Sequence, residues 1–135
     1  MVYRTEILVR SYELDSYNHV NNAVYQNYLE HARMDFLNQI GFRYKEFYDA
    51  GYFLFITHVD IFYKSPAVLN DRLTVETSVK NIKLVRGSFH QTIKREDGTV
   101  CVEADVDWAC ITKEGRPSKI PDEFMLDALK PDSVG

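Results

Sequence analysis

The sequence predicts an α+β fold in which a curved, mainly antiparallel sheet wraps around one long central helix. Three observations predict it. Only one stretch keeps a helical period over about five turns: Val24, Tyr28, Ala32, Phe36 and Ile40 recur every four residues, and Tyr25, Leu29 and Leu37 widen that stripe. The other strong signals alternate apolar and polar residues with the period of a strand. The order is one strand, the long helix, then four strands joined by short turns, so the apolar strand faces have a single helix to cover.

Val2 to Tyr12 predicts the first strand, with Arg4, Glu6 and Arg10 on a largely charged face. Glu13-Leu-Asp15 leads into a polar turn, Asp15-Ser-Tyr-Asn-His-Val-Asn-Asn22, and the helix follows. Gly41 is a natural residue to end it after Ile40. Tyr44 to Ala50 predicts a short helical turn closed by Gly51. Tyr52 to Tyr63 is rich in Phe, Ile, Val and Tyr and suits a strand. Lys64-Ser-Pro66 ends it, because proline offers no ladder donor. Asn70-Asp71 marks a turn. Leu73 to Lys80 and Leu84 to Arg95 predict two more strands, with Gly87 marking either a bulge or a close backbone approach. Glu96-Asp97-Gly98 is a hairpin turn.

Thr99 to Thr112 is the cleanest strand. Val100, Val102, Ala104, Val106, Trp108 and Cys110 face one way; Cys101, Glu103, Asp105, Asp107 and Ala109 face the other. The acidic row there is most simply a solvated face. After the Lys113-Glu-Gly115 turn, Pro121 to Leu129 predicts a final short helix, and Pro131 to Gly135 a tail.

With 135 residues, 45% of them hydrophobic and 27% charged, the chain has the size and make-up of one ordinary globular domain, here residues 1–135. A net charge of −4 argues against nucleic acid as a partner. Nine Tyr and eight Phe suit an interface or a ligand groove. Cys101 and Cys110 lie on opposite strand faces and are expected to stay unpaired. No Cys/His grouping suggests zinc, so no metal site is expected. The opening MVYRTEILVR lacks the apolar run of a secretion signal, and no stretch approaches the roughly 20 apolar residues of a membrane span. A cytoplasmic location is the expectation.

The polar turn concentrates the chemistry. Asp15, His19 and three asparagines, Asn18, Asn21 and Asn22, stand where a helix begins, and the first helical N–H groups there lack partners and carry partial positive charge. Asp15 is either a turn-forming carboxylate or an ionised group that attacks a carbonyl carbon or takes a proton from water. The helix N–H groups would then hold the carbonyl oxygen as charge develops on it. His19 either hydrogen-bonds locally or orients Asp15 or a water. The asparagines either cap the helix or bind a substrate carbonyl. No Gly-x-Ser-x-Gly elbow, phosphate-binding glycine loop or His-Glu-x-x-His is present.

Asp15-Ser-Tyr-Asn-His-Val-Asn-Asn-Ala-Val-Tyr25, followed by Tyr28-Leu-Glu-His-Ala-Arg33, resembles the hotdog-fold acyl-CoA thioesterases of the 4-hydroxybenzoyl-CoA thioesterase family. Tyr63-Lys-Ser-Pro-Ala67, Asp71-Arg-Leu-Thr-Val-Glu-Thr77, Gly115-Arg-Pro and Ile120-Pro121 extend the likeness over nearly the whole chain. The resemblance implies the same sheet around the same helix, and a homodimer or homotetramer with sites at the subunit interface. It carries the catalytic aspartate onto Asp15 and the oxyanion-binding backbone N–H onto about Asn22. His19 also matches a motif position. Asn18, Asn21, Tyr25 and Arg86 become substrate-binding candidates, with Arg86 facing the phosphates of coenzyme A; Lys64, Arg116 and Lys119 are weaker ones. The family usually has glycine where this chain has Asn18, a residue that tolerates a left-handed backbone.

The expected activity is hydrolysis of an acyl-CoA thioester to a free acid and CoA, with Asp15 as nucleophile or general base. No cofactor is expected, CoA entering only as part of the substrate. An acyl-carrier-protein substrate, or a non-catalytic acyl-CoA binding module, are the alternatives.

Overall fold

The computed structural model describes residues 1–132. Five strands, β1 (Tyr3–Leu8), β2 (Tyr52–Tyr63), β3 (Arg72–Ile82), β4 (Arg86–Arg95) and β5 (Val100–Thr112), form one sheet in the order β1-β3-β4-β5-β2. All four pairings are antiparallel. The sheet curves around the long helix α1 (Asn22–Gln39). Phe36 shows the wrap directly: its ring meets Tyr3 of edge strand β1 at 4.9 Å and Phe89 of central strand β4 at 5.4 Å. This is the hotdog architecture. A short helix, α2 (Tyr44–Asp49), covers the far end.

The ends of α1 follow from single residues. Asn21 takes extended backbone angles and its side-chain oxygen accepts from Ala23 N at 2.8 Å, a helix cap. At the other end Gly41 has φ of +79°, Phe42 N donates to Leu37 O at 2.9 Å, and Gly41 N to Asn38 O at 3.1 Å. That double closure needs a left-handed residue, which glycine supplies without strain. Of the apolar stripe, Tyr25, Tyr28, Leu29, Ala32, Phe36 and Leu37 are buried, while Val24 and Ile40 are partly so.

The core has two parts. One gathers Tyr25, Tyr28, Leu29, Ile93, Val102 and neighbours beneath the start of α1. The other gathers Phe36, Phe47, Phe89, Trp108, Phe124 and neighbours beneath its end.

Several elements differ from expectation. The first strand stops at Leu8, and Ser11–Glu13 forms a 3-10 turn. Glu13 folds it back: its carboxylate accepts from Arg10 N and from the Arg10 guanidinium, both at 2.8 Å. The final helix over 121–129 does not form. Pro121 starts one turn, Leu126 is extended, and only Asp127–Leu129 turns again. Phe124 and Leu129 are both buried in the second cluster; on one helix they would diverge by about 140°, and the extended break lets both reach it. The tail over 131–135 is described only as far as Asp132; residues 133–135 lie outside the described residues.

Cys101 does not face away from the core. The pairing of β4 with β5 jumps from Ile93↔Val102 to Lys94↔Val100, so Cys101 is the extra residue of a β-bulge. Its side chain turns inward beside Val102, and both are fully buried. Cys110 lies in the other core cluster, and both cysteines are free. Gly87 is a close approach: a Cβ there would stand 2.5 Å from Trp108 Cζ2 and 2.9 Å from Asn81 O. The acidic row on β5 is partly paired, Glu103 with Lys64 at 3.0 Å and Asp105 with Lys80 and His90 at 2.8 Å each.

Candidate active site

The polar turn is a small closed loop. Leu14 bridges Val20 in antiparallel fashion, Asp15 N donates to His19 O at 2.7 Å, and Asn18 N donates to Asp15 O at 3.0 Å. The tight reversal puts Asn18 at φ of +63°, so asparagine serves where the family motif has glycine. Asp15 Oδ1 accepts from Tyr17 N at 2.8 Å and His19 N at 3.2 Å. These two bonds fix the carboxylate. Among the described residues Oδ2 has no partner, which leaves one oxygen for a substrate or a water.

The loop is pinned to the helix start from below. Asn21 N donates to Glu13 O, and Val20 N to Ala67 O, both at 2.9 Å. Glu13 is itself buried, and the Tyr28 hydroxyl donates to it at 2.8 Å. Burial alone would raise the Glu13 carboxyl, but the hydrogen bonds from Arg10 and Tyr28 outweigh it and hold it below the usual range. Burial, together with the bond to Glu13, pushes the Tyr28 phenol well above its usual range.

Asp15, His19, Asn22 and Tyr25 line one side of a single cleft of about 300 Å³; Tyr63, Lys64 and Pro66 line the other. Asn21 holds the helix by its cap, so Ala23 and Val24 N–H groups are satisfied. The Asn22 N–H meets no acceptor among the described residues and stands at the positive end of α1. The Tyr25 hydroxyl accepts from Ala67 N at 3.0 Å, and burial pushes its phenol up, so it stays neutral. Tyr25 therefore braces the cleft wall.

The remaining sequence candidates fall elsewhere. Asn18 and Asn21 shape the loop and the cap rather than lining the cleft. Arg86 pairs with Ala109, whereas the cleft residues Lys64 and Ser65 donate to Cys101 O. Those points on β5 are roughly 25 Å apart at about 3.3 Å per residue, so within one chain Arg86 is distant from Asp15. Lys119 faces Asp122 at 3.9 Å. Tyr63 and Pro66 were not singled out for the site; their signal was the Tyr63-Lys-Ser-Pro-Ala67 segment of the family likeness. Among the described residues no three His, Cys, Asp or Glu side chains gather as a metal would need.

Chemically, the cleft offers a fixed carboxylate with a free oxygen, a free backbone N–H at a helix start and a nearby imidazole. That set can bring a nucleophile or a base to a carbonyl carbon while holding its oxygen.

Known proteins are similar to this chain in sequence and in fold. The long-chain acyl-CoA thioesterase FadM of Escherichia coli (strain K12) is 36% identical over 110 residues, covering 80% of this chain and 82% of FadM. The chloroplastic acyl-acyl carrier protein thioesterase ATL2 of Arabidopsis thaliana is 35% identical over 120 residues, which is 88% of this chain; the chain spans 64% of ATL2. A DHNA-CoA thioesterase structure from Staphylococcus aureus matches with a TM-score of 0.85 at 23% identity, over 91% of this chain and 83% of that one, a likeness of fold. A family model described as the Thioesterase-like superfamily matches residues 9–128. The chain therefore belongs to the Thioesterase-like superfamily.

Proposed function

We propose that this chain hydrolyses an acyl-CoA thioester to a free carboxylic acid and CoA at the Asp15 cleft. The observation that carries the reading is the pairing of Asp15, one oxygen fixed and one free, with the unpartnered N–H of Asn22 in the same cleft. The thioester carbonyl oxygen accepts from the Asn22 N–H. Asp15 Oδ2 then acts by one of two balanced routes. As nucleophile it attacks the carbonyl carbon, the C–S bond breaks, CoA thiolate leaves, and water hydrolyses the resulting anhydride. As general base it takes a proton from water, whose oxygen forms the new C–O bond as the thiolate leaves and is protonated. His19 orients the water or the thioester. Neither route uses a metal or a redox cofactor.

The working unit in this reading is a homodimer or homotetramer. Among the described residues β2 pairs only with β5 and its other edge has no neighbour, and Phe55 and Phe62 on it are exposed. An edge strand this long and this aromatic calls for cover, and a second copy supplies it. Such a neighbour would also complete the wall of the cleft beside Tyr63.

Thiol release from short, long and aromatic acyl-CoAs tests the activity, with wild type and Asp15→Asn side by side. We expect turnover of at least one member and a loss of about two orders of magnitude or more in the variant. A variant that keeps most of its activity removes Asp15 from the mechanism.

The likeness to ATL2 favours a second reading, in which the acyl group arrives on acyl carrier protein. The same acyl chain offered on both carriers separates the two: faster turnover from the carrier protein favours this reading.

A further inference from the structure

β1 is the other outer strand of the sheet. Among the described residues it pairs only with β3, at the edge opposite β2. Antiparallel pairing turns the N–H and C=O of alternate residues toward the partner strand and those of the residues between them away. Val9 N donates to Asp71 O at 3.0 Å and Val9 O accepts from Asn70 N at 3.2 Å, so Val9, and with it Ile7, Thr5 and Tyr3, faces β3. Arg4, Glu6, Leu8 and Arg10 face outward. Side chains close both ends of this outer row: Gln39 Nε2 donates to Arg4 O at 3.1 Å, and Arg10 N donates to Glu13 Oε1 at 2.8 Å. Between these two stoppers, no group among the described residues meets the N–H and C=O of Glu6 or of Leu8.

A groove of about 480 Å³ lies beside this open stretch, between β1 and the flank of α1, walled by Ile7, Leu8, Asn27, Tyr28 and His31. Those helix residues stand about 120–180° around α1 from Asn22, so the groove is separate from the cleft. One further antiparallel strand meets all the open groups of the edge with three residues. Its outer two exchange hydrogen bonds with Leu8 and Glu6, and its middle one shares the inward face of Ile7 and projects into the groove. The β1 strand of a second copy, six residues long, would run into the Gln39 and Glu13 side chains. The charges select further. Arg4 is drawn to Glu76 and Arg10 to Glu13, which leaves Glu6 exposed and without an ion pair among the described residues. A lysine or arginine directly across from Glu6 supplies one. Leu8 is 48% exposed, and an apolar residue across from it covers it.

We propose that the edge at Glu6 and Leu8 docks an extended peptide of a partner protein, taken up as a sixth, antiparallel strand. The peptide places a large side chain in the groove, a basic one across from Glu6 and an apolar one across from Leu8. The sheet order puts this edge on the far side from β2, so a partner held there leaves the cleft and the β2 edge open. Docking is independent of hydrolysis at Asp15.

The probe is the pentapeptide Thr-Val-Tyr-Lys-Thr, labelled with fluorescein at its N-terminus and amidated at its C-terminus, read by anisotropy against the full-length chain. In antiparallel alignment its valine lies across from Leu8, its tyrosine enters the groove and its lysine lies across from Glu6. It should bind saturably, and at least about threefold tighter than the same peptide with glutamate in place of lysine. Glu6→Lys should reverse that order. Methylating the backbone nitrogens of the valine and the lysine removes two donors and should weaken binding about tenfold or more, a measurement that needs no variant of the protein. Leu8→Pro removes an N–H that the fold leaves unpaired, at an edge position that tolerates proline, so a folded variant should lose the peptide. No saturable binding, equal affinity for the lysine and glutamate forms, equal affinity for the methylated peptide, or a lysine preference that survives Glu6→Lys overturns the site. A smaller assembly for Leu8→Pro than for the wild type, read by sedimentation, would assign the edge to a second copy and overturn it as well.

Discussion

The hydroxyl of Tyr63 donates to the backbone carbonyl of Asn22 at 3.1 Å. This bond ties the last residue of β2 to the first residue of α1, across the mouth of the cleft. It also holds the residue whose N–H is left free for a carbonyl oxygen.

Tyr63→Phe should therefore lower turnover several-fold while changing stability by under about 1 kcal/mol, because Tyr63 is 46% exposed and an exposed hydrogen bond contributes little net. Steady-state kinetics beside a thermal melt checks this. A loss of stability with unchanged turnover would show that the bond serves only the fold.

Asn18 holds φ of +63°. Asn18→Gly should fold and work much as the wild type, since glycine takes that angle freely. Asn18→Val should cost about 1–2 kcal/mol or more, because a branched side chain clashes with the following carbonyl there. Urea midpoints of the two variants give the comparison.

The Glu13 carboxyl is held below the usual glutamate range in the folded chain. A depressed folded pKa contributes stability above the unfolded pKa, about 4.3, and that contribution is lost as pH falls through the folded value. Glu13→Gln should cost about 1–3 kcal/mol at neutral pH, since it weakens bonds to a buried group, and should flatten the acid limb below about pH 4. Glu76, lowered chiefly by its bond from Lys94, adds to the same limb and should persist in the variant. Denaturant melts from pH 7 down to 3 measure both parts.

Gly87→Ala should destabilise by about 1–3 kcal/mol or more, the usual range for forcing atoms into a filled core. The clash would be with the Trp108 ring and a backbone carbonyl. Trp108 is the sole tryptophan, so its fluorescence should shift in the folded variant. An unchanged melting point and spectrum would refute the steric reading.

Much of this fold was legible because local period and tertiary demand agree. The α1 stripe is apolar where the sheet covers it, and β2 runs from Tyr52 to Tyr63 as its composition suggests. The features that local period does not show depend on packing and strand register. Cys101 turns inward only because Lys94 pairs past it. Glu13 is a buried acid because Tyr28 reaches it from α1 and Arg10 closes on it from the start of its own turn. The loop from Asp15 to Asn22 was legible through its motif. The other wall of the cleft comes from Tyr63 to Pro66, which the polar turn gives no hint of.

The β5 bulge has a practical consequence. With Cys101 turned inward, the two thiols occupy different halves of the core, Cys101 beneath the start of α1 and Cys110 beneath its end. Burial raises both thiol pKa values, that of Cys110 to about 11. Only a thiolate exposed to solvent reacts, so each cysteine keeps time for the opening of its own half. Alkylation followed by mass spectrometry would read two clocks in one chain. It would show whether the cleft end of the helix breathes faster than the end that Phe47 and Phe124 seal.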